Sequence, residues 1–213
     1  MANSGVMLAQ PKQPLPTVRG RQTQAAIDAA ARTVIARKGI LATTTADIAK
    51  EARRSTASFY NYYDSKEAMV REWALRFRDE ANERAKSVLR HGLSNRERIR
   101  EAAAAHWYTY RHRLAEMISV SQLAMINDDF AHYWAEMCDG PITFITRMVE
   151  RAQAQGYCTD DDSHLLAVAI VSMLNQFCYV QLSGRDLADV DDEACIQTLA
   201  NVFYRAVYCK EAA

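Results

Sequence analysis

Residues 39–70 read GILATTTADIAKEARRSTASFYNYYDSKEAMV, and the order of caps, turn and aromatics in this stretch decides the fold. Thr44-x-x-Asp47 has the form of a capping box: the threonine hydroxyl takes a free amide of the first turn, and the acid reaches back to the N–H of the cap. It opens a short helix of about Thr45 to Ala52, with Ile48 and Ala52 turned inward. Arg53 and Arg54 make a turn, and Ser55 caps a second short helix that ends near Tyr62. Asp64-x-x-Glu67 is a third cap, at the head of a long amphipathic helix carrying Met69, Val70, Trp73, Phe77 and Ala81. Upstream, Ile27, Ala31, Val34 and Ile35 recur at helical spacing in a segment running from Thr23 to Lys38-Gly39. Three helices, the last two joined by a tight turn, outline a helix-turn-helix unit. Its expected core is Ile27, Val34, Ile35, Leu41, Ile48, Ala52, Phe59 and Tyr63.

The same stretch resembles the DNA-binding signature of the TetR family of transcriptional regulators. The matching elements are Gly39, the Thr44 cap, Asp47-Ile48-Ala49, the Ser55 cap, the aromatic run Phe59-Tyr60-Asn61-Tyr62-Tyr63, and Ser65-Lys66-Glu67. One position departs: Arg53 stands where the turn usually has glycine, so a residue with a β-carbon must carry a left-handed conformation. The resemblance implies that the recognition helix enters the major groove of operator DNA by its N-terminal half. Thr56, Ala57 and Ser58 would then face base edges, with Asn61 further along. Tyr60 and Tyr62 would offer phenols to bases or phosphates. Lys66, Thr44, Thr45, Arg53 and Ser55 would contact the backbone, while Arg21, just past the N-terminal arm, would follow a groove.

Outward from this unit the chain divides by composition. Of the four prolines, three lie at positions 11, 14 and 16, and residues 1–20 read as a loose arm in which Lys12 and Arg19 are solvated or follow a groove. Residues 21–66 form the expected DNA-binding domain, and 67–213 a ligand-binding and dimerisation domain. Residues 1–70 carry ten Lys and Arg against five Asp and Glu; the remainder carries sixteen against twenty-one, so a basic first third precedes an acidic body. Few glycines and prolines beyond the arm favour an all-α fold, with further helices near 95–111, 113–126, 128–155 (bent at Gly140-Pro141), 161–183 and 191–210. Caps are expected at Asp128, Asp161 and Asp191 or Asp192. No apolar run reaches the ~18 residues that a bilayer requires, the longest being Leu165 to Leu174, so no membrane partner is expected. The five cysteines form no CxxC pair and read as free thiols in a cytoplasmic protein.

The segment Leu165–Val180 is apolar around nearly its whole circumference, as befits a helix buried on two sides. Ile196, Leu199, Phe203, Ala206 and Val207 form a stripe suited to packing on a second copy of the chain, which implies a homodimer. Bulky side chains that line a cavity or fill solid core are His106, Trp107, Tyr110, Met117, Phe130, Trp134, Met137, Phe144, Met148 and Tyr179, with Asn175 and Gln176 as polar groups among them. Residues 127–182 also resemble the EthR-type subgroup at Trp134, Phe144 and Asn175, with Pro141 where an aromatic is expected. That resemblance implies a small apolar effector.

The histidines form no H-E-x-x-H motif, and no G-x-S-x-G, P-loop or dinucleotide fingerprint occurs. Asp160-Asp161-Asp162 lacks EF-hand spacing. Neither a catalytic residue, a metal nor a cofactor is expected. The leading expectation is a ligand-released repressor. A helical carrier or enzyme, and an activator without a small-molecule effector, remain alternatives.

Overall fold

The computed structural model describes residues 17–85, 92–184 and 186–208. The expectations for the arm through residue 16, including Lys12, and for the side chain of Ala81, His91 and Cys209 lie outside the described residues.

Among the described residues the fold is helical without strands. The helices are α1 (Val18–Lys38), α2 (Thr45–Glu51), α3 (Thr56–Tyr60), α4 (Lys66–Ala85), α5 (Asn95–His112), α6 (Leu114–Ala124), α7 (Asp128–Gln153), α8 (Ser163–Leu182) and α9 (Asp192–Tyr208), with a 3₁₀ turn at Leu187–Asp189 before α9. α1 begins five residues before the expected start. The Thr17 hydroxyl accepts the Gly20 N–H and caps it, so the last part of the expected arm is a helical turn. The Thr44–Asp47 capping box and the Ser55 cap form as read. Asp191, one of the two expected residues, caps α9 by accepting the Ala194 N–H, and three caps fall one residue from expectation. Ser65 rather than Asp64 accepts the Ala68 N–H at the head of α4, Asn127 caps α7 and Asp162 caps α8. α7 runs through Gly140-Pro141 without a break.

Two apolar cores hold the chain together. The first is built from Ile27, Ala31, Ile35, Ile40, Ile48, Phe59 and Tyr63 of the α1–α3 region, closed by Met69, Val70, Trp73 and Ala74 of α4 and by Ala115, Val120, Leu123 and Phe130 of α6 and α7. Ile40 takes the buried place expected for Leu41, which is 51% exposed. This core extends well past residue 66. Inside it, the Tyr63 hydroxyl donates to Asp28 at 2.5 Å. Burial and that neighbouring carboxylate push the phenol far above its ordinary range.

The second core joins α5 to α9. The α9 stripe of Ile196, Leu199, Phe203 and Val207 is buried within the chain, packed beside α5, and is not free for a second copy. Along α8, Ala167, Ile170, Val171, Leu174, Cys178 and Leu182 are buried, while Leu165 and Val180 are 66% and 49% exposed. Contrary to the sequence expectation, α8 is long and apolar enough by composition to cross a membrane, because Ser172, Asn175 and Gln176 interrupt it without charge. About 33% of that apolar stretch is buried inside the fold.

Candidate nucleic-acid interface and interior cavity

α2 and α3 meet through the turn Ala52–Ser55. Arg53 sits at φ 53°, the left-handed region that a β-carbon disfavours, as its glycine-like position requires. The turn aims the start of α3 at solvent. Ser55, Thr56, Ala57, Tyr60 and Asn61 are exposed and Ser58 is half-buried. The Tyr60 hydroxyl lies 3.3 Å from that of Thr45 on α2, so the two short helices share one polar surface. Thr44, Arg53 and Arg21 are exposed beside it. Phe59 faces the opposite way, into the core. Asp47 is held as a carboxylate, far below the usual range, by the Lys38 ammonium at 2.7 Å and by Thr44.

Two candidate DNA contacts are corrected. Tyr62 is 8% exposed and belongs to the first core: the helix ends at Tyr60, so the residues that follow turn beneath it. Lys66 points inward. Its ammonium donates to the carbonyl of Ile40 at 2.8 Å and of Thr43 at 2.7 Å, tying α4 to the loop that precedes α2. Carbonyls of a loop without helical partners need such a donor, and the lysine spacing alone did not reveal it.

In the second half, a cavity of about 960 Å³ opens between α5, α7 and α8, with Phe77 of α4 and Tyr208 of α9 at its edges. His106, Tyr110, Met117, Met137, Phe144, Met148 and Asn175 line it. The remaining candidates do not. Trp107 is buried outside it, donating through Nε1 to Asp192 at 2.9 Å. Phe130 fills the first core and Trp134 packs between the two. Tyr179 packs against the second core, and Gln176 faces solvent on the far side of α8. Sequence reasoning missed the polar lining: Asn95, Arg98, Glu101, Arg147, Arg151 and Gln155. The signal was present, since Arg98 lies one turn from Ala102 and Arg147 and Arg151 flank Met148, but charged positions were read as solvated faces.

Deep in the cavity the polar groups are few. The His106 Nε2 is buried and has no hydrogen-bond partner among the described residues. Burial lowers its pKa to about 4, offset only in part by the Asn175 side chain, so the imidazole is neutral at physiological pH. Asn175 approaches the Cys138 sulfur at 3.8 Å, a weak partner for an amide.

α6 stands between the cavity and the helix-turn-helix unit. Met117 lines the cavity, and the adjacent Glu116 is buried against Arg32 of α1 at 2.9 Å, with Arg113 at 3.7 Å. Arg32 also lies over the Trp73 ring, 4.6 Å from its centre. At the far end of α6, the Gln122 side-chain Oε1 accepts the Ile40 N–H at 3.0 Å. Gly39 stands at φ 76°, a conformation that favours glycine, and a β-carbon there would meet the end of the Gln122 side chain at 2.7 Å and push it aside.

Residues 27–73 match the family model of bacterial regulatory proteins of the tetR family, and residues 99–209, just over half of the chain, match the C-terminal domain of the transcriptional regulator EthR. The HTH-type transcriptional repressor KstR2 of Rhodococcus jostii (strain RHA1) is 39% identical over 77 residues, which make up 36% of this chain and 37% of that repressor. The chain therefore aligns with little more than a third of that curated relative's length. Among solved structures, a regulatory protein of the tetR family from Rhodococcus RHA1 superposes with a TM-score of 0.67 at 22% identity, over 89% of this chain and 99% of the other. A putative transcriptional regulator from Saccharomonospora viridis, solved in complex with choline, does so with a TM-score of 0.63 at 22% identity, over 87% and 96%. At such identities the likeness is one of fold.

Proposed function

This chain belongs to the TetR family of bacterial transcriptional regulators, and from that premise we propose that it is a repressor, gripping operator DNA as a homodimer and released by a small, largely apolar effector. Double-stranded operator DNA would be held by the exposed edge of α3 and its surroundings: Thr56, Ala57, Ser58, Tyr60 and Asn61 toward bases, with Thr44, Thr45, Arg53, Ser55 and Arg21 toward phosphates. The homodimer is supported by the apolar residues that α8 and α9 leave uncovered, Leu165, Val180 and Val202. The protein would act in the cytoplasm, where its DNA is.

The observation that carries the proposal is the position of α6. Met117 lines the cavity, while its neighbours Glu116 and Gln122 hold α1 and the α1–α2 loop. An occupant that displaces α6 must repack these contacts, and so favours an arrangement in which the two recognition helices no longer match their half-sites. Only an occupant that binds that arrangement better than the DNA-bound one releases the protein.

The test is fluorescence anisotropy of the full chain on duplex DNA from upstream of its own gene. The expected result is specific binding that weakens steeply with salt. Tyr60→Ala lowers it tenfold or more, by order of magnitude for a lost base or phosphate contact, while sedimentation still reports a dimer. Binding that ignores both sequence and the Tyr60 change would refute the assignment.

A further inference from the structure

The cavity is not uniform along its length. Its wall on α5 runs from Asn95 to Tyr110, about 22 Å at the ~1.5 Å rise of a helix. At one end lie Tyr110, Met117 and Leu174, with the neutral His106 beside Asn175 and Cys138. At the other, the start of α5 and the end of α7 bring Arg98, Arg147 and Arg151 to the lining, with Glu101 the one carboxylate among them. One ring contact and one through-space charge effect place these segments together. Tyr157, just past α7, packs edge-on against Tyr208 at 5.3 Å, and the Arg98 charge acts on that same Tyr208 phenol.

Arg147 and Arg151 lie one turn apart on α7, and their guanidinium groups make neither a hydrogen bond nor an ion pair among the described residues. Arg98 donates its Nε to the Leu93 carbonyl at 3.1 Å and forms no ion pair among the described residues. Guanidinium groups present planar forks of donors that match carboxylate or phosphate oxygens. Deep inside, by contrast, the described residues bring no cation: an anionic group there would have to shed its water with none of them of opposite charge to meet it.

We infer that the occupant of this cavity is an anionic amphiphile, its apolar body lying along α5 toward Tyr110 and Met117 and its carboxylate or phosphate held at the Arg98–Arg147–Arg151 end. This rests on the reading of the cavity as the effector site, and deepens it from "small and apolar" to a definite polarity and direction. His106 and Asn175 then meet a neutral polar atom of the body, or none.

The experiment is isothermal titration calorimetry of the full-length protein at low salt, with decanoate, decyl phosphate, decanol and decyltrimethylammonium below their micellar concentrations. The expected result is that at least one of the two anions binds about tenfold tighter than decanol, the scale of one charge-assisted contact at a partly solvated site, and that the cation binds weakest. The anion that wins names the head group. Arg147→Gln with Arg151→Gln, both at exposed positions, brings the ratio of anion to decanol close to one and leaves decanol itself unchanged. Decanol binding as tightly as both anions, or a preference that survives the double substitution, overturns the inference while leaving the cavity as an apolar effector site. Failure of all four probes to bind overturns both.

Discussion

Lys66→Met separates a lysine that fastens the fold from one that touches DNA. The ammonium donates to Ile40 and Thr43 at 2.8 and 2.7 Å, from a side chain only 19% exposed. A hydrogen bond from a charged donor contributes about 1.5–3 kcal/mol. Two of them, reduced because water reaches one side, come to about 2–4 kcal/mol. Methionine keeps the apolar stem and leaves both carbonyls without this partner. At roughly 2–4 °C per kcal/mol for a chain of this size, the melting temperature should fall by about 5–15 °C. The loop it fastens leads directly into the Thr44 cap of α2, so operator affinity falls as well, through a loosened α2. The slope of log affinity against log salt does not change, because no phosphate contact has been lost. Had the ammonium neutralised a phosphate, that slope would fall by about 0.9. Thermal melts by circular dichroism and anisotropy over a salt series measure both quantities. A melting temperature within a degree or so of wild type, together with a salt slope reduced by about one, would refute the inward role of Lys66.

Three other outcomes follow from local geometry. Gly39→Ala places a β-carbon at positive φ and against Gln122, displacing the acceptor of the Ile40 N–H; chemical denaturation should register a loss of about 2–3 kcal/mol. Arg53→Gly relieves a left-handed residue, raising stability by about 1 kcal/mol, while operator affinity drops and the salt slope shrinks if the guanidinium meets a phosphate as proposed. His106, with its folded-state pKa lowered to about 4, resists a proton that the unfolded chain accepts near its ordinary 6.5. Stability is therefore full above about pH 6.5 and is lost as the pH falls toward 4, by on the order of 3 kcal/mol. Denaturant titrations of wild type and His106→Gln should converge at low pH, and equal pH dependence in the two would count against a buried neutral imidazole.

The helical plan was legible because its signals are local. Cap residues, the breaker at Gly39 and the run of aromatics act within one turn of themselves, whereas the left-handed Arg53 is implied by the family resemblance. What escaped depends on partners far along the chain. Tyr62 and Lys66 share an amphipathic stretch with true surface residues, and only the fold of the α1–α2 loop decides that one is packed and the other spent on carbonyls. The α9 stripe stands out in the sequence as an apolar face and reads as a seat for a second copy, but periodicity cannot say that the covering surface is α5. The cavity was half visible: its aromatic and methionine wall stands out in the sequence. Its arginines do not, since a charged residue beside solvent and one beside a cavity mouth look alike until the helices are assembled.

α6 lends Ala115, Val120 and Leu123 to the first core and Leu114, Met117 and Ile118 to the second. The DNA-reading unit is thus not a detachable module. Excised near the end of α4, it would expose the seats of those three side chains and of Phe130, and would lose the Glu116 and Gln122 partners of Arg32 and Ile40. The intact chain should melt in a single transition, whereas an isolated N-terminal fragment should be molten or aggregated. Transplanting this reading head onto a foreign sensor would accordingly require grafting α6 with it.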